Sequence, residues 1–201
     1  MRAKRSREAE GEALWLRGQG LEAAGGRGYR KAAALYEQGV RLQNTSCIGV
    51  LARLLDEGRG VRRDVAAARR LWARGARLGD CTCAFNMGVS FKDSQEYGKA
   101  MRWFGVAVRL GDDGALLETG KLLIFGLGVR RDVARGIANL QTVIASEGTA
   151  LCEREQAMLL LAYMNIDALF IGRSWRTGVR WLERASAAGS DIAAAWRREF
   201  S

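Results

Sequence analysis

The chain contains no histidine and no proline among its 201 residues. Histidine is the commonest general base in enzymes, so its absence removes the usual catalytic triads. No paired-carboxylate motif, phosphate-binding loop or dinucleotide fingerprint is present either. We therefore expect a protein that is not an enzyme, with no catalytic residue and no cofactor. Without proline, the loops must rely on glycine and aspartate to end and start helices.

Long apolar runs are also missing. No span approaches the roughly 20 apolar residues that a membrane helix needs, and the most apolar stretch, 157–172, is interrupted by Asn165 and Asp167. Residues 1–8 are basic but run into acidic residues without the apolar segment of a secretory signal. The sequence predicts a cytoplasmic protein without membrane contact.

Cysteine is scarce, with four residues in the chain. Cys81 and Cys83 are separated by one residue, and a metal site is one interpretation of that spacing. No histidine and no second cysteine pair accompanies them. The favoured interpretation is therefore free thiols and no bound metal.

The chain does have a repeated segment. Residues 58–66 (Gly-Arg-Gly-Val-Arg-Arg-Asp-Val-Ala) recur nearly unchanged as residues 126–134 (Gly-Leu-Gly-Val-Arg-Arg-Asp-Val-Ala). The pattern is typical of the joint between two antiparallel helices. The first glycine of each copy suits the left-handed residue that ends a helix. The aspartate suits the N-cap of the next helix, where its carboxylate accepts backbone N–H bonds.

Behind each such joint, apolar and small residues recur every three or four positions, as on one face of a helix. After Asp64 the stripe is Ala68, Leu71, Trp72, Gly75, Ala76 and Gly79. Similar stripes follow Gly28, Glu96, Asp132 and Ser174. The five starts are about 36, 32, 36 and 42 residues apart, a period typical of helical-hairpin solenoids. Chance periodicity would not place loop, cap and stripe repeatedly in the same order.

These features resemble the Sel1-like repeat family, which is related to the tetratricopeptide-repeat proteins. Its pattern contains Gly-x-Gly-Val-x-x-Asp followed by Ala-x-x-Trp-Tyr, and residues 79–88 fit the start of its first helix. The resemblance covers residues 47–190 well and 11–44 loosely. It implies an all-α, right-handed α–α superhelix (solenoid), and it places Cys47 and Cys83 where a small buried alanine is usual.

This register predicts one solenoid domain of about five helix–turn–helix repeats. A basic N-terminal arm (1–10) is expected to be mobile, and a final helix (191–201) is expected to cap the core. The repeats between them are predicted at 11–44, 45–80, 81–112, 113–148 and 149–190. The third has a shortened loop at 92–95, and the fifth carries extra residues.

The first hairpin is predicted to join helices 12–18 and 29–42 through the glycine-rich turn 20–28. A phosphate-binding loop is the other interpretation of such a turn. However, no Gly-Lys-Ser/Thr follows it and no strand is predicted before it.

The resemblance implies that the first helices of the hairpins line a concave groove. Two positions per repeat are expected to face it: Val50 and Arg53, Asn86 and Val89, Glu118 and Lys121, Leu160 and Tyr163. In related tetratricopeptide repeats an asparagine near the place of Asn86 holds a peptide backbone or carboxylate. With Arg53 and Lys121, the groove could take an acidic or C-terminal peptide segment. The alternative is that these are ordinary solvated helix faces.

The net charge is +10, from 32 basic and 22 acidic residues, and only five of the basic residues are lysine. Arginine neutralises phosphate, so a nucleic-acid-associated protein is the alternative function. Acidic residues are interspersed throughout, and no nucleic-acid motif is present. Two arginine pairs recur at one loop position and could contact an anionic surface or simply keep the loops soluble: Arg62, Arg63, Arg130 and Arg131.

We therefore expect a protein–protein interaction module, an adaptor, scaffold or regulator that holds a protein partner in its groove. The resemblance implies that such proteins assemble larger complexes, and that some bacterial ones regulate or neutralise a partner encoded nearby. The basic charge favours an acidic partner. A small-molecule substrate is not expected.

Overall fold

The computed structural model describes residues 2–166 and 174–199. Within those ranges every regular element is a helix, and no strand is present. None of the described helices is both long enough and apolar enough to span a membrane. The chain divides into two compact units, Met1–Ser90 and Phe91–Ser201.

The first unit is built from two helical hairpins. Its helices are α1 (Arg2–Ala23), α2 (Arg27–Arg41), α3 (Thr45–Glu57), α4 (Val65–Arg77) and the first part of α5 (Cys81–Asp93). Helix α1 packs on α2, α3 packs on α4, and α2 contacts α3. The core that joins the hairpins includes Tyr36, Cys47 and Leu54, which are inaccessible to solvent.

The second unit contains the end of α5 and six further described helices. These are α6 (Tyr97–Arg109), α7 (Ala115–Phe125), α8 (Val133–Ala145), α9 (Leu151–Ile166), α10 (Trp175–Ala187) and α11 (Asp191–Glu199). Helix α7 packs on α8 and α9 on α10, while α8 contacts α9 and α10 contacts α11. One core cluster contains Leu117, Leu140 and Leu161, and a second joins Leu182 to Ala193 of α11.

The repeated loop has the predicted local structure. Gly58 and Gly126 end α3 and α7 in the left-handed conformation, with φ of 73° and 68°. The Asp64 carboxylate accepts a 2.8 Å hydrogen bond from the N–H of Ala67, and Asp132 caps α8 in the same way. The sequence therefore predicts both ends of this joint correctly, because each is fixed by one residue and its near neighbours.

The second glycine of each loop is required by contact between backbones. A Cβ on Gly60 would lie 2.6 Å from the backbone nitrogen of Arg30, at the start of α2. A Cβ on Gly128 would lie 2.3 Å from the backbone nitrogen of Gly98, at the start of α6. Each loop therefore rests on the second helix of the preceding hairpin, and a side chain at either position would separate them.

The first helices of several hairpins share a capping pattern. A polar side chain accepts the N–H three residues later, and the capped residue is small and buried. The pairs are Asn44 with Cys47, Asp80 with Cys83, Asp112 with Ala115, and Ser190 with Ala193. In α3, α5 and α11 the polar residue directly precedes the helix, whereas Asp112 bonds to the first residue of α7 from three residues before it.

The predicted N-terminal arm, 1–10, is not separate from the first helix over residues 2–10, and its mobility stays a prediction. Helix α1 starts at Arg2 and continues without a break to Ala23, well beyond the predicted end of the first helix. Gly11 and Gly18 lie inside this helix because a larger residue would collide with its neighbours. A Cβ on Gly18 would lie 2.3 Å from the Tyr36 ring. The turn of the first hairpin is confined to residues 24–26.

Two further predictions fall partly outside the described residues. The predicted capping helix 191–201 corresponds to α11, and its last two residues lie outside the described range. The extra residues of the predicted fifth repeat fall partly in 167–173, which also lie outside it. The division of the chain into five repeats stays a prediction. The shortened loop of the third repeat begins later than predicted, because Lys92 and Asp93 belong to α5.

Candidate functional site

The predicted groove residues lie on the first helices of successive hairpins. Val50 and Arg53 are on α3, Asn86 and Val89 on α5, Glu118 and Lys121 on α7, and Leu160 and Tyr163 on α9. The first four belong to the first unit and the last four to the second. Their role in binding a partner stays a prediction.

In the first unit, Arg53 is held by carboxylates of the same chain. Its Nη2 donates a 2.7 Å hydrogen bond to Glu22 on α1, and its Nη1 donates a 3.3 Å bond to Glu57. The other oxygen of Glu22 accepts a 2.6 Å bond from the Tyr36 hydroxyl. Burial, followed by the Glu22 carboxylate, raises the pKa of Tyr36. Arg53 therefore connects α1 to α3 rather than presenting an unpaired charge.

The other predicted residues of this unit are more open to contact. Val50 is half-buried and packs against the core cluster of the first unit. Asn86 and Val89 are also half-buried, one turn apart on α5. Half-buried positions such as these can contribute both to the core and to a bound segment.

In the second unit, Glu118 is the centre of a polar network. Its buried carboxylate accepts a 2.7 Å bond from the Lys92 ammonium of α5 and a 2.9 Å bond from Lys121. Lys121 also donates a 3.2 Å bond to the Gln156 side chain of α9. Burial alone would raise the pKa of Glu118, but the hydrogen bonds and charges of the two lysines together lower it. Glu118 is therefore ionised at neutral pH.

The network leaves an excess of positive charge, because two ammonium groups share one carboxylate. Aromatic residues continue the same helix faces. Phe125 lies one turn beyond Lys121 on α7, and Tyr163 lies two turns beyond Gln156 on α9. Both aromatic side chains are 41% exposed. We define the first-helix face of the second unit as Lys92, Glu118, Lys121, Phe125, Gln156 and Tyr163.

The sequence-based prediction missed three members of this face: Lys92, Gln156 and Phe125. The i, i+3 spacing of Glu118 and Lys121 was a local signal for one ion pair. The bonds to Lys92 and Gln156 join residues 26 and 35 positions apart. Only the packing of α5, α7 and α9 brings them together.

All four arginines of the predicted basic loops are exposed. The second arginine of each pair also packs back on its own loop. Arg63 donates a 2.7 Å bond from Nε to the Asp56 carbonyl, and its Cβ lies beside Gly58. Arg131 has the equivalent position beside Gly126. The first of each pair, Arg62 and Arg130, is therefore the better candidate for an external contact.

The cysteines are free thiols in the structure. Cys47 and Cys83 are buried, and burial followed by the charge of Glu12 raises the pKa of Cys47 to about 11. Burial, followed by Asp80, also raises the pKa of Cys83. No group of three or more possible metal ligands occurs among the residues with described positions.

The sequence model of the Sel1 repeat matches residues 50–80, 83–112, 114–142 and 155–190, which is more than half of the chain. The chain belongs to the Sel1 repeat family. The predicted resemblance and the all-α solenoid fold are therefore confirmed for this Sel1 repeat chain. The matched ranges begin within α3, so the first hairpin lies outside them. No curated protein sequence matches the chain.

Similar solved structures show the same fold. The Sel1 repeat chain superimposes on c5321, a protective antigen of uropathogenic Escherichia coli with an SLR fold, with a TM-score of 0.74 and 20% identity. The alignment covers 91% of this chain but only 39% of c5321. A Sel1 repeat protein of Oxalobacter formigenes gives a TM-score of 0.73 at 18% identity, covering 91% of this chain and 75% of the other.

An immunity protein of Pseudomonas aeruginosa, Pa5087, is also similar. Its TM-score is 0.58 at 19% identity, with 92% of this chain and 68% of Pa5087 covered. At these identities the similarity establishes the fold.

Proposed function

We propose that this Sel1 repeat chain is a non-enzymatic protein-interaction module, an adaptor, scaffold or regulator in the cytoplasm. The first-helix face of the second unit binds an acidic segment of a protein partner. The observation that supports this role is the buried carboxylate of Glu118, which organises two lysine ammonium groups on consecutive first helices.

The network provides a preorganised positive surface. Hydrogen bonds hold the ammonium groups of Lys92 and Lys121, so less side-chain entropy is lost when they bind an anion. Their side chains remain about one-third exposed, at 34% and 31%. An acidic side chain can therefore approach them without breaking the bonds to Glu118.

The aromatic residues supply the apolar part of the proposed contact. Tyrosine is enriched among the residues that dominate binding energy at protein interfaces. Tyr163 combines 41% exposure with a position on the same helix as Gln156, which accepts a bond from Lys121. A partner segment with an acidic residue and an apolar residue would match both features.

In the first unit we propose that Val50, Arg53, Asn86 and Val89 form a further contact surface. Asn86 carries both an amide donor and an amide acceptor, which together can pair with the backbone of an extended segment. Arg53 would contribute mainly by orienting α1 against α3. A role as regulator of a protein partner also fits the naming of the similar Pa5087 as an immunity protein.

Nucleic-acid binding remains the alternative, since the chain carries a net charge of +10. The basic loops would be the contact surface in that case, with Arg62 and Arg130 exposed in their two units. Such binding would weaken steeply with salt and would show little sequence dependence. The steep salt dependence and the weak sequence dependence distinguish nucleic-acid binding from the binding of one protein partner.

The test is affinity capture from nuclease-treated lysate of the source organism, followed by mass spectrometry. The bait variants are Lys121→Gln/Tyr163→Ala and, as a matched control, Arg135→Gln, which changes an exposed arginine on α8. We expect the wild type and the control to capture one protein, and the double variant to bind it at least about tenfold more weakly.

Thermal unfolding of each bait establishes that the variants are folded. Equal capture by wild type and Lys121→Gln/Tyr163→Ala would contradict the assignment of this face. Proteins that are captured from untreated lysate and all lost after nuclease treatment would instead favour the nucleic-acid alternative.

A further inference from the structure

A second candidate site lies in the second unit, where α8 ends, α9 begins and α10 ends. It is a cavity of about 270 Å³. Its lining includes the apolar residues Ile144, Leu151 and Met158 and the two arginines Arg154 and Arg184. Leu151 is 67% exposed, so an apolar wall of the cavity is open to solvent. None of these residues belongs to the first-helix face.

Arg154, which lines this cavity, also carries an unsatisfied donor. Its Nε is buried and has no hydrogen-bond partner within the described part of the chain. A buried donor without a partner destabilises the folded chain, so it normally occurs where a ligand or ordered water supplies the acceptor. The neighbouring carboxylates are occupied elsewhere. Glu153 accepts a bond from the N–H of Ala150, and Glu155 accepts one from the Ser190 hydroxyl.

Arg184, the other arginine that lines the cavity, stacks on an aromatic ring. The centre of its guanidinium lies 4.7 Å from the centroid of the Trp181 ring, within the range of a cation–π contact. Trp181 itself packs against the core clusters of the unit. The guanidinium is therefore held in place while its donors stay available.

The size and chemistry of the cavity restrict the ligand. Guanidinium groups prefer carboxylates or phosphates, whereas Ile144, Leu151 and Met158 require an apolar group close to that anion. Pockets for small molecules usually enclose about 300–1,000 Å³, so this one is suited to a single residue at the end of a chain. A C-terminal residue carries a carboxylate and a side chain on the same carbon.

We propose that this cavity binds the C-terminal residue of a protein partner. The α-carboxylate is held by the side chains of Arg154 and Arg184, and the apolar side chain contacts Ile144, Leu151 and Met158. The proposal concerns a different surface from the first-helix face, so either can fail without the other.

The experiment measures binding of the full chain to a pool of fluorescently labelled hexapeptides whose last two residues are randomised. Each peptide is prepared with a free C-terminal carboxylate and as the C-terminal amide. We expect the chain to select peptides with an apolar last residue, and the amide to bind at least about tenfold more weakly than the acid. The variants Arg154→Gln and Arg184→Gln should lose a similar factor.

Arg180→Gln is the matched control, because it changes another exposed arginine of α10 that does not line the cavity. It should bind the peptides as the wild type does. Arg184 is exposed, so Arg184→Gln tests the proposal even if Arg154→Gln does not fold. Three results would overturn it: equal binding of acid and amide, no binding at millimolar peptide, or equally tight binding of N-acetyl-leucine, which would indicate a site for small acids.

Discussion

Gly75 of α4 and Cys83 of α5 share one space in the core of the first unit. A Cβ added to Gly75 would lie 2.3 Å from the Sγ of Cys83. Gly39 and Cys47 repeat this relationship one hairpin earlier, also at 2.3 Å. The second helix supplies a glycine and the next first helix supplies the side chain that fills the gap.

Later hairpins divide the same space differently. The equivalent positions are Val143 with Ala157, which belong to one core cluster, and Ala185 with Ala193, which belong to another. At Val143 and Ala157 the larger residue is on the second helix, and at Ala185 and Ala193 both residues are small.

Gly75→Ala should therefore destabilise the protein, although alanine favours a helix more than glycine does. We expect a loss of about 1–3 kcal/mol from overpacking. The double variant Gly75→Ala/Cys83→Ala should recover part of it, because the closest contact, with the sulfur, is removed while the Cβ of residue 83 stays 2.9 Å from the new methyl group. Urea unfolding of the two single variants and the double variant gives the coupling energy.

Gly105→Ala is the control for that measurement. Gly105 is also inside a helix, but a Cβ there would meet only the tip of Arg109, at 3.7 Å. This substitution should be neutral or stabilising. Additive effects of Gly75→Ala and Cys83→Ala would show that the two residues do not share the space.

Removing an N-cap should weaken its hairpin by about 1 kcal/mol. Asp132 accepts a 3.0 Å bond from the N–H of Arg135 at the start of α8. Asp132→Ala loses this acceptor, whereas Asp132→Asn keeps an oxygen at the same place. Thermal unfolding should therefore rank stability in the order wild type, Asp132→Asn, Asp132→Ala. Equal stability of the two variants would contradict the role of the cap.

Glu118→Gln should destabilise the protein by about 1–3 kcal/mol at pH 7, because two charge-assisted hydrogen bonds lose their anion. The lowered pKa of Glu118 gives the sign of the pH dependence. Its stabilising contribution is present above the ordinary value of 4.5 and is lost as the pH falls through the lower pKa of the folded state. The difference in unfolding free energy between wild type and Glu118→Gln, measured by urea unfolding, should stay constant between about pH 6 and 8 and shrink on acidification.

The thiols should react in the order of their exposure. Cys152 is exposed, whereas Cys47 and Cys83 are buried with raised pKa values, and only the thiolate reacts readily. Alkylation at about pH 8, with the sites assigned by mass spectrometry, should label Cys152 first and the two buried cysteines only after unfolding.

The raised pKa of Cys47 predicts that the folded protein loses stability at alkaline pH. For Cys47 the neutral form is favoured in the folded state, so its contribution is complete below the ordinary value of 9.0 and is lost as the pH rises through about 11. Cys47→Ala should flatten this part of the stability curve. Early labelling of Cys47 in the native protein would contradict its burial.

The features predicted correctly from sequence are those determined within a few residues. The left-handed Gly58 and the cap at Asp64 each depend on the backbone beside them. The glycines of α1 were misleading for the opposite reason. Gly18 resembles a helix breaker in sequence, but it is there because the Tyr36 ring occupies the space beside it. That contact is visible only once α1 and α2 are packed together.

The candidate site was predictable as a set of positions but not as a network. Helix periodicity places Glu118 and Lys121 on one face, yet it does not indicate that Lys92 also binds Glu118. For the same reason Arg53 appeared to be an open cation, although Glu22 on α1 binds it. Side chains that are distant in sequence decide which charges remain available.

The close backbone contacts of Gly60 and Gly128 limit how hairpins of such a chain can be recombined. Each contact ties a loop to the hairpin before it: the second hairpin to the first, and the α7–α8 hairpin to α6. The short loop between α5 and α6 contains no glycine, and the chain divides into its two compact units inside this hairpin. A hairpin therefore keeps this loop contact only when it is moved together with the hairpin before it, and one moved alone would lose the backbone that its second loop glycine rests on.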